Sequence, residues 1–136
     1  MKIFADTNVL ISAFTARGLC ADLFEIILAD HHLMTGEYVL KELERVLSTK
    51  LYLPEQKIDA VVQFLRNHHV EPVPETASEY NVRDDDDRWV LESAIRAKAD
   101  ILVTGDKDLL IISKEVKELK IISPRGFWEI LKNKEA

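Results

Sequence analysis

Short apolar segments alternate with longer amphipathic ones along this chain, and this alternation constrains the fold more than any other feature. The apolar segments have the length of buried strands, and the amphipathic segments have the spacing of helices. Strands are predicted at KIFA (2–5), HLMT (32–35), ILVT (101–104) and KIIS (120–123), with an extended stretch at VEPVP (70–74). Helices are predicted at 8–14, 20–30, 38–47, 54–67, 88–99, 106–112 and 124–131. The alternation predicts an α/β fold, a three-layer α/β/α sandwich with a mostly parallel, Rossmann-like central sheet.

Length, charge and cysteine content narrow the class of protein. A chain of 136 residues with 47% hydrophobic residues suits a single domain over residues 1–136. The lone cysteine, Cys20, rules out an intrachain disulfide framework, and no signal peptide or membrane-spanning segment is evident, so we expect a cytoplasmic protein. The net charge of −6 opposes binding of nucleic acid through backbone neutralisation alone. A nucleic-acid partner would therefore require metal ions to supply positive charge.

Acidic residues recur where predicted strands end and predicted helices begin. Asp6 follows the first strand directly, and Asp106 follows ILVT after one residue, Gly105, with Asp108 close behind. The run Asp84–Asp87 leads into a helix, and Glu42 lies in the first half of another. These positions share one edge of a parallel sheet, where ligands bind in such folds. Two carboxylates about 5 Å apart repel by roughly 3 kcal/mol at an effective dielectric constant near 20, so several together favour a hard cation such as Mg²⁺ or Mn²⁺.

Helical geometry distinguishes the members of the aspartate run. Asp87 projects near the middle of the predicted buried stripe, one turn before Leu91, whereas Asp85 and Asp86 project to either side. Asp84 either caps the helix or joins the site. We expect Asp87 to be the principal ligand of the run and Asp84 the second. Asp86 replaces Asp87 if the helix begins one residue away from its predicted start.

Four motifs together resemble those of a known nuclease family. They are ADTNVLISAF, VLKELERVL, RDDDDRWVLESAIRAKADILVTGDKDLL and IISPRGFWEIL. The chain resembles PIN-domain nucleases over essentially its whole length, especially the compact prokaryotic VapC-like proteins classed as toxin components of toxin–antitoxin systems. The resemblance implies a PIN-like fold and a metal-dependent endoribonuclease. The run of four aspartates is the main departure from the family pattern, and it leaves the third acidic position open.

The resemblance also implies roles for individual residues. Asp6, Asp87 and Asp106 would hold one or two Mg²⁺ or Mn²⁺ ions, with Asp84 and Asp108 as further metal ligands. Glu42 would be catalytic, either orienting the attacking water or binding a second metal. Thr7, Asn8 and Thr104 would donate hydrogen bonds to a phosphate oxygen or orient a carboxylate. The implied partners are an RNA substrate, a cognate antitoxin protein and a second copy of the chain in a homodimer.

Two other functions are compatible with an acidic sheet edge. The first is phosphoryl transfer or phosphatase activity on a small molecule, which needs a nucleophilic aspartate with a lysine nearby. Lys107 is a weak candidate for that lysine, and Asn8 stands where a second aspartate would be expected two residues after Asp6. The second is a non-catalytic metal-binding module. It is disfavoured because a site without a function could lose its mutually repelling carboxylates.

Overall fold

The computed structural model describes residues 1–135 and contains five strands and seven helices within that range. In chain order the elements are β1 (Lys2–Ala5), α1 (Thr7–Thr15), α2 (Leu19–Asp30), β2 (His32–Gly36), α3 (Glu37–Thr49), α4 (Glu55–Arg66), β3 (His69–Glu71), α5 (Asp85–Arg96), β4 (Ile101–Val103), α6 (Lys107–Ile111), β5 (Lys120–Ile122) and α7 (Pro124–Glu135). No helix within the described range is long and apolar enough to cross a membrane.

All five strands form one parallel sheet in the order β3-β2-β1-β4-β5. Strand β1 is central, and its residue Ile3 pairs with Leu33 of β2 on one side and with Ile101 of β4 on the other. The predicted α/β sandwich with a parallel central sheet is thereby confirmed. The chain moves outward in opposite directions from β1, first through β2 and later through β4. The carboxyl ends of β1 and β4 therefore border the topological switch point, where doubly wound sheets bind ligands.

The central strands are buried on both faces, as expected for a parallel sheet. Phe4 of β1 and Leu102 of β4 are completely inaccessible to solvent. Helices contribute apolar residues to the same core, among them Leu10 of α1, Leu43 of α3 and Leu91 of α5. Each such side chain contributes roughly 1.5–3 kcal/mol of burial energy. The sheet edge therefore rests on a tightly packed support.

The helix boundaries differ most from prediction at the acidic segments. Helix α5 begins at Asp85 rather than near Asp87 or Arg88, because the Asp84 side chain accepts a hydrogen bond from the backbone N–H of Asp86 (2.8 Å) and caps it. Carboxylates in a first helical turn are also stabilised by the helix dipole. The helix ends at Arg96 rather than at residue 99, and Lys98 just beyond it has a φ of 60°.

Smaller differences occur elsewhere. In the predicted extended stretch 70–74, only the beginning belongs to strand β3, since the prolines at 72 and 74 lack the N–H needed to continue a sheet ladder. Helix α6 begins at Lys107, with Asp106 as its cap rather than its first residue. Helix α7 continues to Glu135 instead of ending at Leu131.

Candidate active site

The site lies where strands β1 and β4 end side by side. Ala5 pairs with Val103 in the parallel ladder, so the residues that follow each strand emerge next to each other. Asp6 and Thr104 occupy these two positions, and both are buried, with 3% and 0% of their surfaces exposed. The Thr104 hydroxyl donates a hydrogen bond of 2.7 Å to Asp6 Oδ2. At the switch point of the sheet, a buried carboxylate thus accepts a hydrogen bond from a buried hydroxyl.

The Asp6 carboxylate is fixed by hydrogen bonds on both oxygens. In addition to the Thr104 bond, Oδ1 accepts from the backbone N–H of Thr7 (2.7 Å), and the Asn8 amide lies 3.4 Å from Oδ2. The pKa of Asp6 is raised to about 6, chiefly by burial and to a smaller extent by the charges of Glu42 and Asp106, against the lowering effect of the hydrogen bonds. Three predicted site residues, Asp6, Glu42 and Asp106, therefore lie close together.

Thr104 and Asn8 connect the two strand ends. Thr104 Oγ1 also accepts from the backbone N–H of Asp106 (3.0 Å), and Asn8 Oδ1 accepts from the backbone N–H of Gly105 (2.9 Å). These bonds tie the loop after β4 to Asn8 and Thr104, whose side chains also donate to the Asp6 carboxylate. The hydroxyl of Thr7 is buried and, among the described residues, has no hydrogen-bond partner.

Asp87 is the one buried member of the aspartate run, and Asp84 is exposed although it lies beside Asp87. Asp87 is 7% exposed, as its helical position predicts, whereas Asp85 and Asp86 are exposed. Asp85 forms an ion pair with Arg88 (3.1 Å), and Asp86 accepts a hydrogen bond from the Tyr38 hydroxyl. The structure therefore brings Asp87, rather than Asp86, toward the site.

Asp87 is the most strongly perturbed carboxyl group of the site. Its pKa is raised to about 8, chiefly by burial and also by the charge of Asp106, a hydrogen bond shared with it, and the charges of Asp6 and Asp84. Within the described part of the chain, its buried Oδ2 atom has no hydrogen-bond partner. An unpartnered buried oxygen surrounded by like charges needs either a proton or a cation.

One oxygen from each of Asp84, Asp87 and Asp108 lies within 4.8 Å of the others, which is a spacing suited to a shared metal ion. This is the one cluster of metal-binding geometry among the described residues. Asp6 and Asp106 stand outside this group of three, and they interact with Asp87 through the charges that raise its pKa. An all-oxygen set of this kind suits Mg²⁺ or Mn²⁺, so the residues present fit such an ion.

Aspartate caps explain how two short segments contribute to this cluster. Asp106 caps α6 by accepting from the backbone N–H of Asp108 (2.9 Å), in the same manner as Asp84 caps α5. The alternative that Asp108 caps a helix beginning at Leu109 is wrong, because Asp106 takes that role. Asp84 and Asp108 were ranked below Asp87 and Asp106 from the sequence, yet they form the cluster with Asp87.

Glu42 approaches the site from helix α3. It is half-buried, and its charge contributes to the raised pKa of Asp6. It also borders a hollow formed with Tyr38, Lys41, Arg45 and Asp86. Glu42 therefore lies at one side of the carboxylate group, between that group and this hollow.

Comparisons with known proteins agree with this geometry. The PIN domain family model matches residues 2–108. The uncharacterized protein MJ1680 of Methanocaldococcus jannaschii is 36% identical over 128 residues, covering 89% of this chain and 81% of that protein. A solved structure of VapBC2 from Rickettsia felis, bound to a DNA fragment from their promoter, contains a chain of similar fold, with a TM-score of 0.64 at 17% identity over 90% of this chain and 98% of that one.

A parallel sheet with carboxylates gathered at its switch point defines a fold and site of the PIN type. This chain belongs to the PIN domain family. PIN domains are generally nucleases and generally use divalent metals.

Proposed function

We propose that this protein is an endoribonuclease that depends on Mg²⁺ or Mn²⁺ and hydrolyses RNA phosphodiester bonds. The observation that carries the proposal is the unpartnered buried oxygen of Asp87, surrounded by other carboxylates. Asp84, Asp87 and Asp108, whose oxygens lie within 4.8 Å of one another, would hold the cation, and Asp6 and Asp106 beside them would be the further ligands that the family resemblance implies. When bound, the cation supplies Lewis acidity that activates water and neutralises the charge developing on the phosphate.

The residues around the cation have separate tasks in this proposal. Thr104 and the Thr7 backbone hold the Asp6 carboxylate in a fixed orientation, which spares the site a reorganisation during the reaction. Glu42, at one side of the cluster, is positioned to accept a proton from the attacking water or to orient it. Asn8 ties the loop after β4 to helix α1 and so maintains the spacing of Asp6 and Asp106.

We further infer that the protein is the toxin of a toxin–antitoxin pair and works in the cytoplasm. The likeness to a chain of the VapBC2 complex supports a protein partner, which would bind over the acidic edge and block it. A homodimer is proposed on the same family basis. Co-expression with the product of a neighbouring small gene, followed by a cleavage assay of the purified complex, would test the inhibitory partner.

The decisive experiment compares cleavage of single-stranded and structured RNA by the wild type, Asp6→Asn and Asp85→Asn in the presence of Mg²⁺ or Mn²⁺. The Asp85 variant is a matched control, because it makes the same chemical change at an exposed carboxylate paired with Arg88. We expect cleavage by the wild type and Asp85→Asn, and its loss in Asp6→Asn or with a chelator. Equal cleavage by all three proteins would refute the proposal. Phosphate release from small phosphoesters without RNA cleavage would favour the phosphatase alternative.

A further inference from the structure

A hollow of about 250 Å³ lies next to the acidic site, where helix α3 faces the start of helix α5. It is lined by Tyr38, Lys41, Glu42 and Arg45 of α3 and by Asp86 of α5. Glu42 belongs both to this hollow and to the surroundings of Asp6. Any ligand in the hollow would therefore be a direct neighbour of the proposed metal site.

The Tyr38 ring is held in place from two directions. Its hydroxyl donates a hydrogen bond to Asp86 Oδ1, and its ring stacks on Trp89 with centroids 6.0 Å apart and planes 18° from parallel. Trp89 does not line the hollow, so the hollow borders a part of Tyr38 that the tryptophan leaves uncovered. An aromatic ring fixed in this way offers a stacking surface at little cost in conformational entropy.

Two cations lie on the same helical face as Tyr38. Lys41 follows it by three residues and Arg45 follows Lys41 by four, so the three side chains form one row along α3. Both cationic side chains are exposed, and no salt bridge among the described residues engages either of them. Glu42 and Asp86 line the same hollow, so the two cations stand beside two carboxylates. Unpaired lysine and arginine side chains are suited to contact phosphates.

We propose that the hollow is a nucleotide-binding subsite for single-stranded RNA, in which one base stacks on Tyr38 and adjacent phosphates contact Lys41 and Arg45. The inference rests on the proposed nuclease function and specifies the substrate-binding face of that site. Asp86 acts here as a positioning residue for Tyr38. Stacking tolerates any base but requires the base to be unpaired, so this subsite favours single strands over duplexes.

The phosphate contacts are tested with a fluorescently labelled oligouridylate, measured by anisotropy in an Asp6→Asn background with Mg²⁺. We expect K41Q/R45Q to weaken binding about tenfold at low salt. It should also flatten the slope of log affinity against log salt by about 1.4, since each single-strand contact contributes about 0.7. The control R17Q/K120Q makes the same charge change at two exposed positions toward the opposite edge of the sheet. Equal effects of the two double variants would contradict the phosphate contacts.

The stacking contact is tested with Tyr38→Leu and Tyr38→Phe. Loss of one stacked base weakens binding roughly tenfold, so Tyr38→Leu should lose about that much, whereas Tyr38→Phe retains the ring and should bind nearly as well as tyrosine. An oligomer with the same backbone but no bases should bind Tyr38→Leu and the parent equally. That comparison also reports on folding, because a misfolded variant would lose the abasic ligand too. A similar loss with both RNAs, or no loss with either, overturns the stacking role.

The nuclease function and the subsite can fail separately. If the wild type binds RNA through Tyr38, Lys41 and Arg45 but cleaves none, the proposed nuclease function is wrong and the subsite stands. If K41Q/R45Q and Tyr38→Leu cleave RNA normally with an unchanged KM, the proposed subsite is wrong and the nuclease function stands. If these substitutions release a bound partner protein but leave RNA affinity unchanged, the hollow is a protein-docking surface and the subsite is wrong.

Discussion

Asp6 and Asp87 are both buried carboxyl groups at the same sheet edge, but the fold treats them differently. Asp6 receives hydrogen bonds from the Thr7 backbone, the Thr104 hydroxyl and the Asn8 amide. Asp87 retains an oxygen without a partner among the described residues, and burial together with neighbouring carboxylates raises its pKa to about 8.

The difference indicates what each residue needs from the rest of the site. Hydrogen bonds from the protein lower the pKa of Asp6 and so offset part of the cost of burying its charge. Nothing comparable stabilises ionised Asp87, and a divalent cation would supply the missing partner. On this account Asp6 orients the site, whereas Asp87 makes it dependent on metal.

The largest expected effect comes from removing either charge. We expect Asp6→Asn and Asp87→Asn each to lower RNA cleavage by more than about 100-fold, beyond the usual cost of losing an outer-shell partner of a metal ligand. Their effects on the metal-free protein should differ in size. Asp87→Asn relieves charge repulsion and should raise the free energy of unfolding, whereas Asp6→Asn should raise it less, because asparagine has one acceptor oxygen for the donors that now bond to both oxygens of Asp6. Denaturant titrations in a chelating buffer measure this, and equal shifts for the two variants would remove the contrast.

The pH dependence of the metal-free protein sharpens the comparison. Both carboxyl groups bind protons more tightly in the folded state, so their contribution to stability is complete below the ordinary aspartate value of 3.8. It is lost as pH rises through about 6 for Asp6 and about 8 for Asp87. The free energy of unfolding should therefore fall across this window. Asp87→Asn should abolish the fall between about 6 and about 8, whereas Asp6→Asn should only reduce the fall below about 6, where both groups contribute. A flat profile for the wild type would be inconsistent with the raised pKa values.

A smaller effect is expected from the hydroxyl that orients Asp6. Thr104→Val removes the donor to Asp6 and the acceptor for the Asp106 N–H, which should cost about 1–3 kcal/mol of stability. Cleavage should fall by about tenfold, the lower end for loss of an outer-shell partner, and Thr104→Ser should restore most of it. Thermal unfolding and cleavage rates check both expectations. Failure of serine to rescue would indicate that the threonine methyl group, rather than the hydroxyl, matters.

Much of this arrangement was predictable from local rules. Asp6 and Asp106 could be assigned to one edge because each follows a short apolar strand, and parallel strands end together. The burial of Asp87 followed from its place one turn before Leu91, and the structure confirms it. These inferences depend only on helical and strand periodicity.

Other features depend on contacts between distant segments. The hydrogen bond from Tyr38 on α3 to Asp86 on α5 requires the two helices to pack together, and no periodicity in the sequence indicates that contact. The start of α5 was placed too late because four consecutive aspartates offer four candidate caps, and only tertiary packing selects Asp84. The grouping of Asp108 with Asp84 and Asp87 likewise needed the relative placement of α5 and α6.

Direct titration of Mn²⁺ into the metal-free protein tests the central claim, that the acidic edge is built around a divalent cation with Asp87 as its pivotal ligand. The wild type and Asp85→Asn should bind Mn²⁺ with similar affinity by calorimetry, and Asp87→Asn should bind it at least about tenfold more weakly. Mn²⁺ at about 100 times the Kd of the wild type should stabilise the first two proteins by about 2.7 kcal/mol and Asp87→Asn by no more than about 1.4 kcal/mol. No binding by the wild type, or equal binding by all three proteins, would contradict the account.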